Sequence, residues 1–149
     1  MTVVWASLIF YLSTRTFASS FSVWLLAEIL HLARLRVSAA AFALLQYLLR
    51  RGAHLTVYGI FAIFIYYSLA GESRPKWSLR RAVASVVIAA IYSLTDEYHQ
   101  SFVPGRDGSL LDCGVDTLGA MLGTVVVYLS HGVLSRGTPP PATVVVESR

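Results

Sequence analysis

The stretch TDEYHQSFVPGRDGSLLDCGVDTLGAMLG, from Thr95 to Gly123, decides how this chain folds and where its chemistry lies. Five of the eight carboxylates, Asp96, Glu97, Asp107, Asp112 and Asp116, fall within it. Apolar runs flank it, Ala82 to Leu94 before and Leu118 to Leu134 after. Acids held between two apolar helices are expensive near a bilayer, so they mark a functional position by default.

Composition sets the class. The 149 residues are 56% hydrophobic and only 13% charged, with a mean hydropathy of +0.63. That is too apolar and too sparsely charged for a soluble domain and fits an integral membrane protein. The single cysteine, Cys113, excludes an internal disulfide and a cysteine-rich metal site, and it reads as a small packing residue. The net charge is +4. Basic residues stand at the ends of apolar runs and form no stripe, which excludes nucleic acid as a partner.

Outward from the acidic stretch, the pattern predicts an all-α fold: a polytopic membrane helix bundle of four transmembrane helices, with one or two short interfacial helices between the first and second. Thr2 to Thr14 is the first apolar helix, shorter than the roughly 30 Å of a bilayer core. No basic residue precedes it and RTFASS is a poor cleavage site, so it reads as retained. Ser20 caps an interfacial helix over Phe21 to Arg34, with Glu28, His31 and Arg34 as its polar strip. Ser38 caps a second over Ala39 to Leu49, closed by Arg50, Arg51 and Gly52. The remaining spans are Ala53 to Ala70, Ala82 to Tyr98 and Cys113 to Leu134. Residues 1–135 form one membrane domain, and 136–149, with three consecutive prolines, a disordered tail.

The short connector from Gly71 to Arg81 carries Arg74, Lys76, Arg80 and Arg81 against Glu72. The positive-inside rule makes it cytoplasmic, and four spans then put both termini in the cytoplasm with the acidic loop outside. The long connector before Gly52 is basic as well, with Arg15, Arg34, Arg36, Arg50 and Arg51, and argues the other way.

Threading the spans in alternation brings three polar groups to one membrane face. Arg51, His54 and Tyr58 recur at helical spacing on one face, as do Asp96, His99 and Gln100. Asp112, Asp116, Gly119 and Gly123 form a third stripe, whose Gly119-x-x-x-Gly123 pattern suits close helix contact. The turn at Val103-Pro104-Gly105-Arg106 is placed to fold Arg106 back over the carboxylates.

The motifs RRGAHLTVY, TDEYHQSFVPGRDGSLLD and DTLGAMLG, with IFYLST near the start, resemble those of the VanZ-like family of small bacterial membrane proteins. The resemblance covers roughly Ile9 to Leu129. One departure is Val57, where an acidic residue often precedes the tyrosine. The founding member is associated with low-level teicoplanin resistance, so the resemblance implies a role in the cell envelope.

Three functions fit the polar cluster. In an enzyme, Glu97 or His99 is the general base, Arg51 and Arg106 hold a phosphate, and Asp112 and Asp116 orient His54, His99 or a metal, while Gln100, Tyr58 and Asp96 contact substrate. The substrate would then sit at the membrane surface, as a lipid headgroup or a lipid-linked cell-wall precursor. A binding protein would recognise membrane lipid, such a precursor or a glycopeptide without turnover. An architectural cluster would only fasten helix ends through ion pairs. The spacing is not HExxH and fixes neither a metal nor any other cofactor. A channel is disfavoured because the acids gather at one end.

Overall fold

The computed structural model describes residues 1–13, 19–71, 77–102 and 108–136, with the side chains of 19–21 and 132–136 left aside. Residues 137–149 of the expected tail, the Arg106 turn and residues 72–76 of the basic Gly71 to Arg81 connector lie outside the described residues. The described residues form five helices: α1 (Thr2–Leu12), α2 (Ser19–Leu32), α3 (Ala39–Ser68), α4 (Leu79–Gln100) and α5 (Leu110–Arg136). Among the described residues there is no strand, as the apolar periodicity predicts.

The division between the second interfacial helix and the first long span differs from expectation. Ser38 does cap a helix, its Oγ accepting from the Ala41 amide at 3.2 Å. That helix then continues through Arg50, Arg51 and Gly52 for 30 residues, joining the second interfacial helix to the first long span. A lone interior glycine costs about 1 kcal/mol, too little to end a helix with no proline near it. The span count differs too. Among the described residues two helices, Ala39–Ser68 and Leu110–His131, are long and apolar enough to cross a membrane, not four. At 11 residues α1 falls short in length. The 22 residues of α4 suffice in length, but Arg80, Arg81, Asp96 and Glu97 lower its hydropathy.

A Schellman turn reverses the chain between α2 and α3. Leu35 donates its amide to Leu30 O and Arg34 to His31 O, with Arg34 in the left-handed region at φ 55°. Gln46 Nε2 then donates to Ser22 Oγ at 2.6 Å, holding α2 against the first half of α3.

Polarity is inverted relative to a soluble protein. On α4, Ser85, Ser93, Asp96, Glu97 and Gln100 are buried, whereas Val83, Val87, Ile91 and Leu94 face outward. On α5, Asp112 and Asp116 are buried and Leu118, Leu122, Val125 and Leu129 are exposed. Large apolar surface turned outward over buried carboxylates is what lipid as solvent selects. The short α1 is pinned beside the second half of α3. Trp5 Nε1 donates to Val57 O at 3.0 Å, and Thr2 Oγ1 donates to Phe64 O at 3.2 Å. Tyr92 of α4 closes the other side by donating to Ala6 O at 2.7 Å.

The tightest seam joins α3 to α5, which run parallel. A Cβ built on Gly119 would overlap the backbone of Leu55, and one on Gly123 the backbone of Gly59; on Gly59 it would meet Gly119 O at 3.1 Å. The Gly119-x-x-x-Gly123 pattern therefore acts as its spacing predicts. Gly52, also within α3, has open space around its Cβ direction. Overpacking typically costs about 1–3 kcal/mol, while replacing an unconstrained helical glycine with alanine gains about 0.5–1 kcal/mol. Gly119→Ala and Gly123→Ala should therefore lower the melting temperature of detergent-purified protein, and Gly52→Ala should raise it slightly. Equal melting of all three variants would show that the seam is not close-packed.

Candidate functional site

The parallel register of α3 and α5 sets the polar residues opposite one another. Where α1 and α4 end and α5 begins, α3 passes through the group, contributing Arg50, Arg51, His54 and Tyr58. Asp112 accepts from both arginines, Arg50 Nη2 at 2.9 Å and Arg51 Nη1. Its side chain is 3% exposed, against 46% for Arg50 and 20% for Arg51. Arg51 is further fixed by lying over the Tyr47 ring, 5.1 Å from its centroid. One turn deeper, Nδ1 of His54 lies 2.9 Å from Asp116 Oδ1. Ser93 Oγ of α4 donates to the other oxygen of Asp116 at 2.5 Å.

The end of α4 adds Asp96, Glu97 and Gln100, all buried. Gln100 Nε2 donates to Asp96 Oδ2 at 2.9 Å and to Ser13 Oγ, at the end of α1, at 3.4 Å. Ser109, just before α5, donates its amide to Glu97 Oε2 at 2.7 Å. Oδ1 of Asp96 and Oε1 of Glu97 remain buried with no hydrogen-bond partner among the described residues. Donor atoms of His54, Glu97 and Asp116 lie within 4.8 Å of one another, close enough to hold a metal ion.

Of the ten residues singled out from the sequence, Arg51, His54, Tyr58, Asp96, Glu97, Gln100, Asp112 and Asp116 meet in this region. His99 lies nearby but turns toward α1, stacked on Phe10 with ring centroids 4.6 Å apart. Arg106 lies outside the described residues. A cavity of about 120 Å³ opens among α1, α3 and α4, lined by Ser13, His54, Tyr58 and Asp96 with Ile9, Leu12, Ala53 and Val57. Sequence reasoning passed over Arg50, Ser93, Ser13 and Ser109. Ser93 was findable, because it shares the helical stripe of Asp96, Glu97 and Gln100. The backbone amide of Ser109 carries no sequence signal.

Two cations on one buried carboxylate is a fastening. Leaving buried charge without its partner costs about 3–5 kcal/mol, whereas an exposed ion pair is worth only about 0–1 kcal/mol. Asp112→Ala should therefore lower the melting temperature strongly, Arg51→Gln less and Arg50→Gln least. An Arg50→Gln effect as large as that of Arg51→Gln would show that exposure does not rank the two pairs.

Comparison with curated proteins and with solved structures finds no match. A family model described as VanZ/LLP1 matches residues 1–131, which takes in all five helices up to His131 and every site residue named above. The chain belongs to the VanZ/LLP1 family.

Proposed function

We propose that the chain is a multi-pass protein of the bacterial plasma membrane whose polar cluster binds the polar head of a membrane lipid or lipid-linked cell-wall precursor and acts on it by proton transfer. The carrying observation is the cavity at the cluster, which joins apolar Ile9, Leu12 and Val57 to polar Ser13, His54, Tyr58 and Asp96. Such a lining matches an amphiphile, whose chain and head require opposite surroundings. Its volume of about 120 Å³ is the share of about four liquid waters and lies below the roughly 300–1,000 Å³ of drug-sized ligand pockets. A headgroup fragment fits that space; a whole glycopeptide does not, which favours lipid over antibiotic as the ligand. Resistance of the teicoplanin type would then follow indirectly, through a changed envelope lipid or precursor.

Within this reading Glu97 and His54 are the proton-transfer groups. Glu97 is held by one oxygen while the other has no partner among the described residues, and Asp116 orients His54. Asp96 lines the cavity with Gln100 donating to it from behind, and half-exposed Arg50 offers its remaining donors to a phosphate at the rim. His99 and Arg106 complete the rim in the proposal. Fastening of helix ends accounts well for Asp112 with its two arginines, but not for His54, Asp96 or Glu97, which have no arginine on them among the described residues.

Glu97→Gln and His54→Gln keep approximate size while removing, respectively, charge and titration near neutral pH. Both variants should abolish the protein's effect on glycopeptide susceptibility in cells while melting within a few degrees of the parent. Unchanged susceptibility in both would remove them from the reaction, and collapse of melting in step with function would favour architecture. A comparison of lipid-linked precursors with and without the protein should show one species altered.

In the proposed topology the Arg106 loop is extracytoplasmic and both termini are cytoplasmic. Ser109→Cys in a Cys113→Ala background should react with an impermeant thiol reagent in intact cells. Labelling confined to lysed cells would invert the orientation.

A further inference from the structure

We infer that His54, Glu97 and Asp116 form a binding site for one divalent first-row transition ion, Zn²⁺ or Mn²⁺. One donor atom from each residue lies within 4.8 Å of the others. Tetrahedral ligands about 2.1 Å from an ion lie about 3.4 Å apart, so closure draws the farthest pair together by at most about 1.4 Å, shared between two side chains. One imidazole and two carboxylates form a donor set suited to ions of this class, and three protein ligands leave coordination positions open.

Three features separate this group from an ordinary acidic cluster. Glu97 is only 5% exposed, yet Oε1 has no hydrogen-bond partner among the described residues. Each carboxylate is also held from outside through its second oxygen, Glu97 by the Ser109 amide and Asp116 by Ser93 Oγ. Outer partners that fix one oxygen and leave the other for an ion are what metal sites require. Charge supplies the third feature. The neighbouring arginines, Arg50 and Arg51, are both on Asp112, so among the described residues the buried carboxylates of Glu97, Asp116 and Asp96 share the single basic side chain of His54. A divalent cation would offset two of these charges, and buried charges need such a partner.

The inference deepens the proposed function by naming the group at the site. With the ion bound, Glu97 and His54 serve as its ligands in place of transferring protons; the inference rests on the proposed function for the use of the ion, polarising a headgroup oxygen beside the cavity, and not for its binding. The test uses the full chain purified in detergent, stripped with a chelator and titrated with ZnCl₂ and MnCl₂ by calorimetry, with thermal melting alongside. One ion per chain should bind and raise the melting temperature by about 5 °C or more at saturation. Glu97→Gln and Asp116→Asn should weaken binding by about 100-fold, and Ser93→Ala, which acts by loosening Asp116, by about tenfold. His31→Gln, far from the cluster, should bind like the parent. Absence of binding by folded protein would overturn the inference, as would binding that Ser93→Ala leaves untouched or that only His31→Gln removes. Should the ligand variants fail to fold, the parent stoichiometry and Ser93→Ala still decide the matter. Stoichiometric ion binding without any altered lipid would retain the site and remove the substrate reading; an altered lipid in chelated, ion-free protein would do the reverse.

Discussion

Everything at the polar end depends on how closely α3 approaches α5. With Gly119 against Leu55 and Gly123 against Gly59, the two backbones touch without side chains between them. The same register places Arg51 at Asp112 and His54 at Asp116. Were the helices separated by even one methyl layer, the shorter side chains, His54 and Asp116, would lose contact first. Packing in the apolar half of the bundle therefore fixes distances in the charged half.

Charge divides into two tiers along α3. The outer tier, Arg50 and Arg51 on Asp112, is internally compensated and partly wetted, as its exposure shows. The inner tier, His54 with Asp116, Glu97 and Asp96, is drier and richer in acid than in base among the described residues. Neutral donors temper the imbalance: Ser93, Gln100 and the Ser109 amide each hold one carboxylate oxygen. A cluster built only to fasten helices has no need of such a difference between its tiers.

Much of this was legible in the sequence because helical spacing is local. The stripes Arg51–His54–Tyr58 and Asp112–Asp116–Gly119–Gly123 assemble as spaced, and the motifs are those of the family whose model matches residues 1–131. What failed was the reading of breakers and of hydropathy by run. Gly52 and the arginine pair looked like a stop but sit inside one helix, because Asp112 supplies partners for both charges. Of the four expected spans, only two are long and apolar enough among the described residues, because α1 stops at 11 residues and the charges at both ends of α4 lower its hydropathy. His99 shares a helical face with Asp96 and Gln100, yet aromatic Phe10 on α1 draws it aside. Stacking between distant chain segments leaves no periodic trace.

The α3–α5 seam also constrains how the chain can vary. Where two side chains meet, enlarging one can be offset by shrinking the other, so second-site suppressors arise across the contact. At Gly119 and Gly123 the facing atoms are backbone, belonging to Leu55 and to Gly59, and backbone has nothing to trim. A lesion at either glycine thus lacks an intragenic suppressor on the opposite helix. Reversion, or a shift of the whole helix at the expense of the charged end, is the only local way back.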